Sequence, residues 1–470
     1  MEHNKLEALT KKYEYVWDKI GENEVKEMMD FAEKYKDFMN KAKTEREATA
    51  EIVRMAKEKG FIDLNDAIAQ NKKLSAGDKV FAVNKEKAVA LFVIGATPME
   101  KGMNIVGSHI DSPRIDLKPN ALYEDEGFAL LETHYYGGIK KYQWVTIPLA
   151  LHGVVVKKGG EKVNIVIGED ENDPVLYITD LLIHLSADQM EKKLAKGIEG
   201  EDLNVLIGSR PIEDKEVKGR IKLNILRILN ERYGIDEEDF VTAEFEIVPA
   251  GRARDVGLDR SMVMAYGHDD RVCAYTSLEA ILEIEKPEKT CVALFVDKEE
   301  IGSNGATGMH SRFFENVVAE VMELMGEYSE LKLRRCLANS KMLSSDVTAA
   351  FDPIYPSVLE RKNTAYMGKG IVITKYTGSR GKYSCNDANA EFLGYLRDLF
   401  NKHNITWQTG ELGKVDQGGG GTIAYILAEY GMEVVDCGVA LLSMHAPWEI
   451  ASKADIYETY KAYKVFLQYA

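Results

Sequence analysis

After about residue 250, short apolar runs alternate with amphipathic stretches of helical spacing. The run TCVALFV (290–296) is typical of a buried strand, whereas VCAYTSLEAILEI (272–284), RFFENVVAEVMELMGEY (312–328) and ANAEFLGYLRDLFNKHN (388–404) have apolar residues three and four positions apart. Strands that alternate with helices favour a layered α/β domain with a largely parallel sheet. We therefore predict an α/β fold for this part of the chain.

The segment 116–248 has a different pattern. Stretches such as EKVNIVIGEDENDPVLYI (161–178) show short-period alternation and frequent turns, which is typical of antiparallel strands. We predict that this segment is a β-rich domain inserted into an α/β domain, whose two parts are 1–115 and 249–470. A chain of 470 residues is also longer than one ordinary compact core.

Composition excludes some partners. The formal net charge of −16 argues against nucleic acid and anionic membranes, because both favour basic surfaces. No apolar run is long enough for a transmembrane helix, and the charged first twenty residues do not resemble a signal peptide. The five cysteines form no CxxC pair, so we expect reduced thiols and a cytoplasmic location.

Two adjacent glutamates, Glu299 and Glu300, follow the apolar run that ends at Val296. Neighbouring carboxylates raise each other's pKa unless a positive charge lies between them. The sequence therefore raises the question of which cation stabilises this pair.

Other polar residues also follow apolar runs, and we expect them to lie near the glutamates at the ends of strands. They are His109 in VGSHIDSPR, Asp269 in YGHDDRVC, Asp346 in MLSSDV and His445 in GVALLSMHAPWE. In open α/β sheets, ligands bind outside the carboxyl ends of the strands. If all these sites are at such ends, they converge on one crevice.

Two histidines with several carboxylates suit a pair of divalent metals, with zinc as the default and cobalt or manganese as alternatives. One aspartate would bridge the ions, a histidine and an aspartate would bind one of them, and Glu300 and a histidine would bind the other. Asp111 would then orient His109. Glu299 would be the general base that takes a proton from the bridging water.

Each of these features also has an ordinary structural explanation. KEE is typical of a solvated loop, and a histidine after a strand is commonly a hydrogen-bonded polar residue. HDD and SSD are both typical of a helix amino terminus, where an aspartate caps backbone N–H groups. The metal hypothesis depends on these residues being brought together.

Five motifs carry a family resemblance. They are GSHIDSPR (107–114), ARDVGLDRSMVMAYGHDDRVCAY (253–275), DKEEIGSNGATG (297–308), MLSSDVTAAFDP (342–353) and LLSMHAPWE (441–449). In this order they resemble the motifs of the M18 metallopeptidases, the aspartyl aminopeptidase family, and the similarity extends from about residue 80 to 460. The resemblance implies a split α/β catalytic domain with an inserted dimerisation domain, and a tetrahedral dodecamer.

The resemblance also implies roles for individual residues. It assigns metal binding to His109, Asp269, Glu300, Asp346 and His445, with Asp269 as the bridge and Glu299 as the general base. His184, in DLLIHLS, resembles an inserted-domain histidine that enters a neighbouring subunit's active site; the alternative is a buried histidine of the β domain.

The substrate pocket is implied by GIVITKYTGSRGKYSCNDAN (370–389), which resembles the family's pocket segment. Lys375 and Tyr383 would contact the substrate, and Arg380 and Lys382 are further candidates or solvated loop charges. The family prefers peptides with amino-terminal Asp or Glu, and the net charge of −16 opposes such substrates at long range.

Two departures from the family pattern weigh against strict acidic specificity. Asp352 stands in TAAFDP where better-known members have a histidine. VDQGGGGT (415–422) contains four glycines that either let the backbone approach the substrate or metals, or form a flexible loop.

From these features we predict a dinuclear metal-dependent aminopeptidase that acts on peptides with a free amino terminus. One alternative is a related dinuclear amidohydrolase that removes acyl groups from amino acids or cleaves a carboxyl-terminal residue. The other is a non-catalytic assembly or receptor protein with the same fold.

Overall fold

The computed structural model describes residues 9–378 and 380–470. The helices are Val16–Lys19, Glu22–Lys41, Glu45–Glu58, Leu64–Ala69, Ala187–Met190, Leu194–Gly197, Arg220–Tyr233, Glu237–Val241, His268–Leu282, Phe313–Leu324, Glu330–Asn339, Ala390–Lys402, Ala424–Ala428 and Lys453–Tyr469. The strands are β1 (Ile62–Asp63), β2 (Lys79–Asn84), β3 (Ala88–Val93), β4 (Asn104–His109), β5 (Arg114–Asp125), β6 (Phe128–Tyr136), β7 (Leu149–Val156), β8 (Lys162–Ile167), β9 (Val205–Gly208), β10 (Glu244–Pro249), β11 (Arg254–Val256), β12 (Met262–Ala265), β13 (Cys291–Val296), β14 (Lys341–Ser344), β15 (Thr348–Ala349), β16 (Ile371–Thr374), β17 (Trp407–Thr409), β18 (Glu433–Gly438), β19 (Ala440–Leu442) and β20 (Glu449–Ser452).

The largest sheet of the described residues has nine strands in the order β1-β2-β3-β13-β4-β14-β18-β16-β17. Its central strands β13, β4, β14 and β18 are parallel. Val296 of β13 pairs with His109 of β4, and Ser344 of β14 pairs with Gly107. Three neighbouring strands therefore end at the same edge, and the segments that follow them are close together.

Both faces of β13 are covered by helices, and this explains why its sequence is a continuous apolar run. Ala293 and Phe295 point into one hydrophobic cluster, which includes helix His268–Leu282. Val292 and Leu294 point into another, which includes helix Phe313–Leu324. Successive side chains of a strand face opposite sides of the sheet, so a strand covered on both faces is apolar at every position.

A smaller sheet of five strands, β11-β12-β20-β19-β15, belongs to the same part of the chain. The helix His268–Leu282 begins three residues after β12 ends at Ala265. Asp269 therefore follows a strand of the five-stranded sheet and lies in the first turn of a helix. The expectation that all the polar residues follow strands of one sheet is wrong for Asp269, and it is also wrong for His445, which follows β19 of the same five-stranded sheet.

The segment between β4 and β11 contains a six-stranded sheet, β8-β7-β10-β5-β6-β9, in which every pair of neighbours is antiparallel. Helix Arg220–Tyr233 belongs to this segment. The helix ends at Gly234, whose backbone has the left-handed conformation that glycine favours.

The chain divides into two compact units. The first comprises the residues up to Asp111 together with 253–444 and 449–470, and the second comprises 112–252 and 445–448. Both contain helices and strands, which confirms the predicted α/β class. No helix among the described residues is long and apolar enough to cross a membrane.

Candidate metal centre

His109 is the last residue of β4 and is almost fully buried. Its Nδ1 is 2.9 Å from the carbonyl oxygen of Asp111 and 3.2 Å from Asp111 Oδ1. Because a carbonyl oxygen only accepts, Nδ1 carries the hydrogen. Nε2 faces Asp269 Oδ1 at 3.1 Å, which is the orientation that a metal-binding imidazole needs.

Asp269 lies at the start of helix His268–Leu282, but its φ of −80° and ψ of 106° are extended rather than helical. Its backbone N–H donates to Glu449 Oε2 at 3.0 Å. Both residues are buried. Glu449 thus holds the backbone of Asp269 while the Asp269 carboxylate faces His109.

Asp346 follows β14 by two residues. Donor atoms of His109, Asp269 and Asp346 all lie within 4.8 Å of one another. Burial raises the pKa of the Asp346 carboxyl well above its usual range, and the Glu299 and Asp269 carboxylates raise it further. Position 438, which lies against the backbone of Asp346, requires glycine. A Cβ at Gly438 would lie 2.1 Å from the carbonyl oxygen of Asp346.

Glu299 and Glu300 begin a short 3-10 turn, Glu299–Ile301, after β13. Their backbone N–H groups donate to Asp111 Oδ1 and Oδ2, both at 3.2 Å. Glu299 Oε2 is 3.8 Å from His109 Nε2. Carboxylate oxygens of Glu300 and Asp269 lie within 4.8 Å of each other. The two glutamates therefore occupy different positions beside the same cluster.

The loop that carries these glutamates is closed by Asp297. Its Oδ2 accepts a hydrogen bond from Thr307 Oγ1 at 2.5 Å, and its Oδ1 accepts one from the Lys298 N–H at 2.7 Å. Burial, with a contribution from Glu45, raises the pKa of Asp297 to about 6.

His445 belongs to the second unit, in the short segment 445–448. Its Nδ1 donates to the carbonyl oxygen of Gly138 at 2.9 Å, which leaves Nε2 as the nitrogen suited to a ligand. His184 lies in the 3-10 turn Ile183–Leu185 and is exposed, so the alternative of a buried histidine is wrong.

The residues of the predicted pocket form a separate group of ion pairs. Lys375 Nζ is 3.4 Å from Asp387 Oδ1, and Lys382 Nζ is 2.8 Å from Asp387 Oδ2. Tyr383 is 84% exposed. Asp352 accepts the Ile354 N–H at 2.8 Å and so stabilises a turn.

The glycine run packs against this pocket loop through the backbone. The Gly420 N–H donates to Thr377 O at 3.0 Å, and the Arg380 N–H donates to Val415 O. Gly418 and Gly419 have φ of +109° and +79°, which glycine adopts readily.

The donor set of the first unit fits a divalent metal. It consists of one imidazole and several buried or half-buried carboxylates, which are the ligands that zinc, cobalt and manganese accept. Although burial lowers the pKa of His109, its hydrogen bonds with Asp111 and Asp269 raise that pKa well above its usual range. A cluster this acidic is stabilised by a cation.

Sequence reasoning missed three buried residues next to the cluster: Glu449, which contacts Asp269, His268, which precedes it, and Tyr35, which contacts His268. Glu449 was visible only as the last letter of LLSMHAPWE. His268 precedes Asp269 in GHDD and is fully buried, and burial lowers its pKa to about 4. Tyr35 hydrogen-bonds to His268 across 233 residues of sequence, and no local signal indicates such a contact.

Comparisons with known proteins identify the family of this chain. The family model described as "Aminopeptidase I zinc metalloprotease (M18)" matches residues 38–467. A curated relative from Clostridium acetobutylicum, called "Probable M18 family aminopeptidase 1", is 61% identical over 459 residues, 98% of this chain and 99% of the relative.

Two solved structures are similar along almost the whole chain. Aminopeptidase I from Clostridium acetobutylicum is 59% identical with a TM-score of 0.92, and covers 98% of this chain and 100% of its own. An M18-family aminopeptidase from Thermotoga maritima is 46% identical with a TM-score of 0.93, with the same coverage of both chains. Since the family model matches most of the chain and a 61% identical relative covers 98% of it, this chain belongs to the M18 family of zinc metalloproteases.

Proposed function

We propose that this M18 metallo-aminopeptidase uses two divalent metal ions, with zinc as the expected metal. His109 and Asp346 would hold one ion, Glu300 and His445 the other, and Asp269 would be shared. One observation carries the proposal: the Asp269 carboxylate lies within 4.8 Å of donor atoms of His109 and Asp346, and also of Glu300. A carboxylate between two groups of ligands is suited to bridging two ions.

Bound zinc would polarise the scissile carbonyl and lower the pKa of the attacking water. Glu299 would accept the proton of that water and return it to the leaving amine. Its side chain is 13% exposed and its Oε2 is 3.8 Å from His109 Nε2, so it lies beside the cluster and remains within reach of solvent. Asp111 would hold the turn that carries Glu299.

The proposed substrates are peptides with a free amino terminus, and an acidic first residue would be favoured. Lys375 and Tyr383 are the proposed substrate contacts. Lys375 and Lys382 both pair with the carboxylate of Asp387. The three side chains together carry a formal charge of +1. This local charge would partly offset the repulsion between an acidic substrate and a chain of net charge −16.

We further propose a homo-oligomer, built from dimers through the second unit into a tetrahedral dodecamer. Large apolar side chains next to His184 support this proposal, because contiguous exposed apolar surface commonly marks an interface. They are between 54% and 69% exposed and comprise Leu181, Leu182, Ile183, Leu185, Met190 and Leu194. His184 of one subunit would then lie at the active site of a neighbour.

The free cysteines suit a reducing compartment, and we propose that the protein is located in the cytoplasm.

The test of the activity is a panel of chromogenic aminoacyl substrates with Asp, Glu, Leu or Lys. The enzyme is first stripped with a chelator and then supplied with zinc, cobalt or manganese. We expect metal-dependent hydrolysis of free-amine substrates and none of their N-acetylated forms. Faster cleavage of the acetylated forms would favour the deacylase alternative, and no metal-dependent hydrolysis would favour a non-catalytic protein.

The test of the two-ion proposal is the zinc content of the purified protein. We expect two zinc ions per chain in the wild type. Asp269→Asn should lose most of both ions because Asp269 is shared. A single ion per chain in an active enzyme would contradict the dinuclear proposal while leaving the aminopeptidase activity intact.

A further inference from the structure

Tyr35 and His268 form a buried hydrogen-bonded pair between two distant helices. Tyr35 lies in helix Glu22–Lys41, and His268 is the first residue of helix His268–Leu282. The Tyr35 hydroxyl is 2.5 Å from His268 Nδ1, and both side chains are fully buried. The two rings also stack, with centroids 5.6 Å apart and an interplanar angle of 26°.

The opposite nitrogen of His268 determines the direction of this hydrogen bond. His268 Nε2 is 3.0 Å from the carbonyl oxygen of Val263 in β12. A carbonyl oxygen only accepts, so Nε2 carries the hydrogen. In the neutral ring Nδ1 is then an acceptor, and the Tyr35 hydroxyl donates to it. The imidazole is therefore held from both sides.

His268 immediately precedes Asp269, which is held on its other side by Glu449. The Asp269 N–H donates to Glu449 Oε2 at 3.0 Å. The peptide unit that leads into Asp269 thus lies between two fixed points, the clamped ring of His268 and the Glu449 carboxylate. Movement of the His268 ring would move the Asp269 backbone and, with it, the carboxylate that faces His109.

We propose that Tyr35 and His268 are positioning residues for Asp269, and that the Tyr35 hydroxyl increases the metal affinity of the site. This inference rests on the proposed role of Asp269 as the shared ligand. It assigns a function to the amino-terminal helix Glu22–Lys41, which contributes none of the proposed ligands. Groups that orient a ligand typically change metal affinity by about tenfold to a hundredfold when they are removed.

The experiment compares Tyr35→Phe with Tyr275→Phe in the full chain. Tyr275 packs on Tyr35, with ring centroids 5.3 Å apart, and its buried hydroxyl faces the Glu279 carboxyl of its own helix. Both substitutions remove one buried hydroxyl from the same aromatic cluster. Zinc dissociation constants are measured by competition with a chromogenic chelator, and the unfolding temperature of each chain is measured without metal.

We expect Tyr35→Phe to bind zinc about tenfold more weakly than the wild type, and Tyr275→Phe to bind it almost normally. The metal-free unfolding temperatures of the two variants should be similar. Equal zinc affinity in Tyr35→Phe and the wild type overturns the inference. So does an equal loss of affinity in the two variants, because that result indicates a general loss of stability.

A second pair of variants tests His268 itself and does not depend on Tyr35. Gln at position 268 keeps one donor and one acceptor, whereas Leu has neither. We expect His268→Gln to bind zinc more tightly than His268→Leu, and equal affinities overturn the inference. A wild-type chain that binds no zinc would instead contradict the proposed function, so the two failures are distinguishable.

Discussion

Asp111 Oδ1 accepts the backbone N–H of Glu299 at 3.2 Å, while Oδ2 of the same carboxylate accepts that of Glu300 at the same distance. Asp111 also lies against His109 Nδ1 through its carbonyl and carboxylate oxygens. One side chain therefore joins the end of β4 to the turn after β13. The proposed base and two of the proposed ligands keep their spacing through this carboxylate.

Asp111→Asn should lower kcat/KM by about tenfold to a hundredfold. The amide offers one acceptor instead of two, and its NH2 group would face a backbone N–H. We expect a weaker zinc affinity together with the lower activity. The measurements are steady-state kinetics and chelator competition.

The control for this carboxylate-to-amide change is Asp63→Asn. Asp63 caps helix Leu64–Ala69 by accepting the Asn65 N–H at 2.8 Å, and Asn is an equally good cap. We expect wild-type kinetics from it. An Asp111→Asn enzyme that behaves like Asp63→Asn would show that the two backbone hydrogen bonds have no catalytic importance.

Glu299→Gln should retain its metal and lose turnover by about a hundredfold to ten-thousandfold, since the amide cannot accept a proton. Zinc content per chain and kcat are measured on the same preparation. Loss of the bound zinc, or activity near that of the wild type, would each contradict the division of roles between Glu299 and Glu300.

The α/β pattern could be predicted because the central strands are covered on both faces. A strand such as β13 is then apolar throughout and ends sharply at a polar residue, and this is visible in CVALFVDKEE. His109 and Asp346 could be found in the same way, because each stands at or just after the end of a parallel strand. The helices between the strands have the spacing of an apolar stripe.

The position of Asp269 could not be predicted in the same way. It follows a strand of the five-stranded sheet, and which sheet a short strand joins depends on pairing between distant segments. Tyr35 and Glu449 were missed for a related reason. Their contacts with His268 and Asp269 span 233 and 180 residues of sequence, and the sequence offers no local spacing that indicates them.

Asp387→Asn should increase the preference for acidic amino-terminal residues. The carboxylate of Asp387 is shared by Lys375 and Lys382, so its loss changes the formal charge of this trio from +1 to +2. The side chains are between 41% and 49% exposed, so solvent screens the effect. Exposed pairs are worth roughly 0.2–1 kcal/mol, which corresponds to about a 1.4-fold to fivefold rise in kcat/KM for Asp and Glu substrates relative to Leu.

Lys375→Ala should lower the ratio of kcat/KM for Asp and Glu substrates to kcat/KM for Leu substrates. The effects of Lys375→Ala and Asp387→Asn on this ratio should both diminish at high salt. Lys402→Ala, which removes an exposed lysine from the end of helix Ala390–Lys402, is the matched control and should leave the ratio unchanged. If neither Asp387→Asn nor Lys375→Ala alters the ratio, this loop does not select the substrate.

Asp455 is a buried carboxylate in helix Lys453–Tyr469 and is not one of the proposed ligands. Its Oδ1 accepts the Gly370 N–H and its Oδ2 the Gly368 N–H, both at 2.7 Å. Burial raises its pKa from 3.8 to about 7, although these two hydrogen bonds lower it. The carboxyl therefore binds a proton more tightly in the folded chain than in the unfolded one.

This difference makes the Asp455 contribution to stability decrease as pH rises. Between pH about 4 and about 7 the folded chain holds a proton that the unfolded chain has lost, so raising the pH favours unfolding; above about 7 the effect is constant. Asp455→Asn does not titrate at this position. We expect the unfolding temperature of the wild type, minus that of Asp455→Asn, to fall from pH 4 to pH 7. Scanning calorimetry of both metal-free chains measures this difference in unfolding temperature. A difference that stays flat or rises over this pH range would contradict a raised pKa of Asp455.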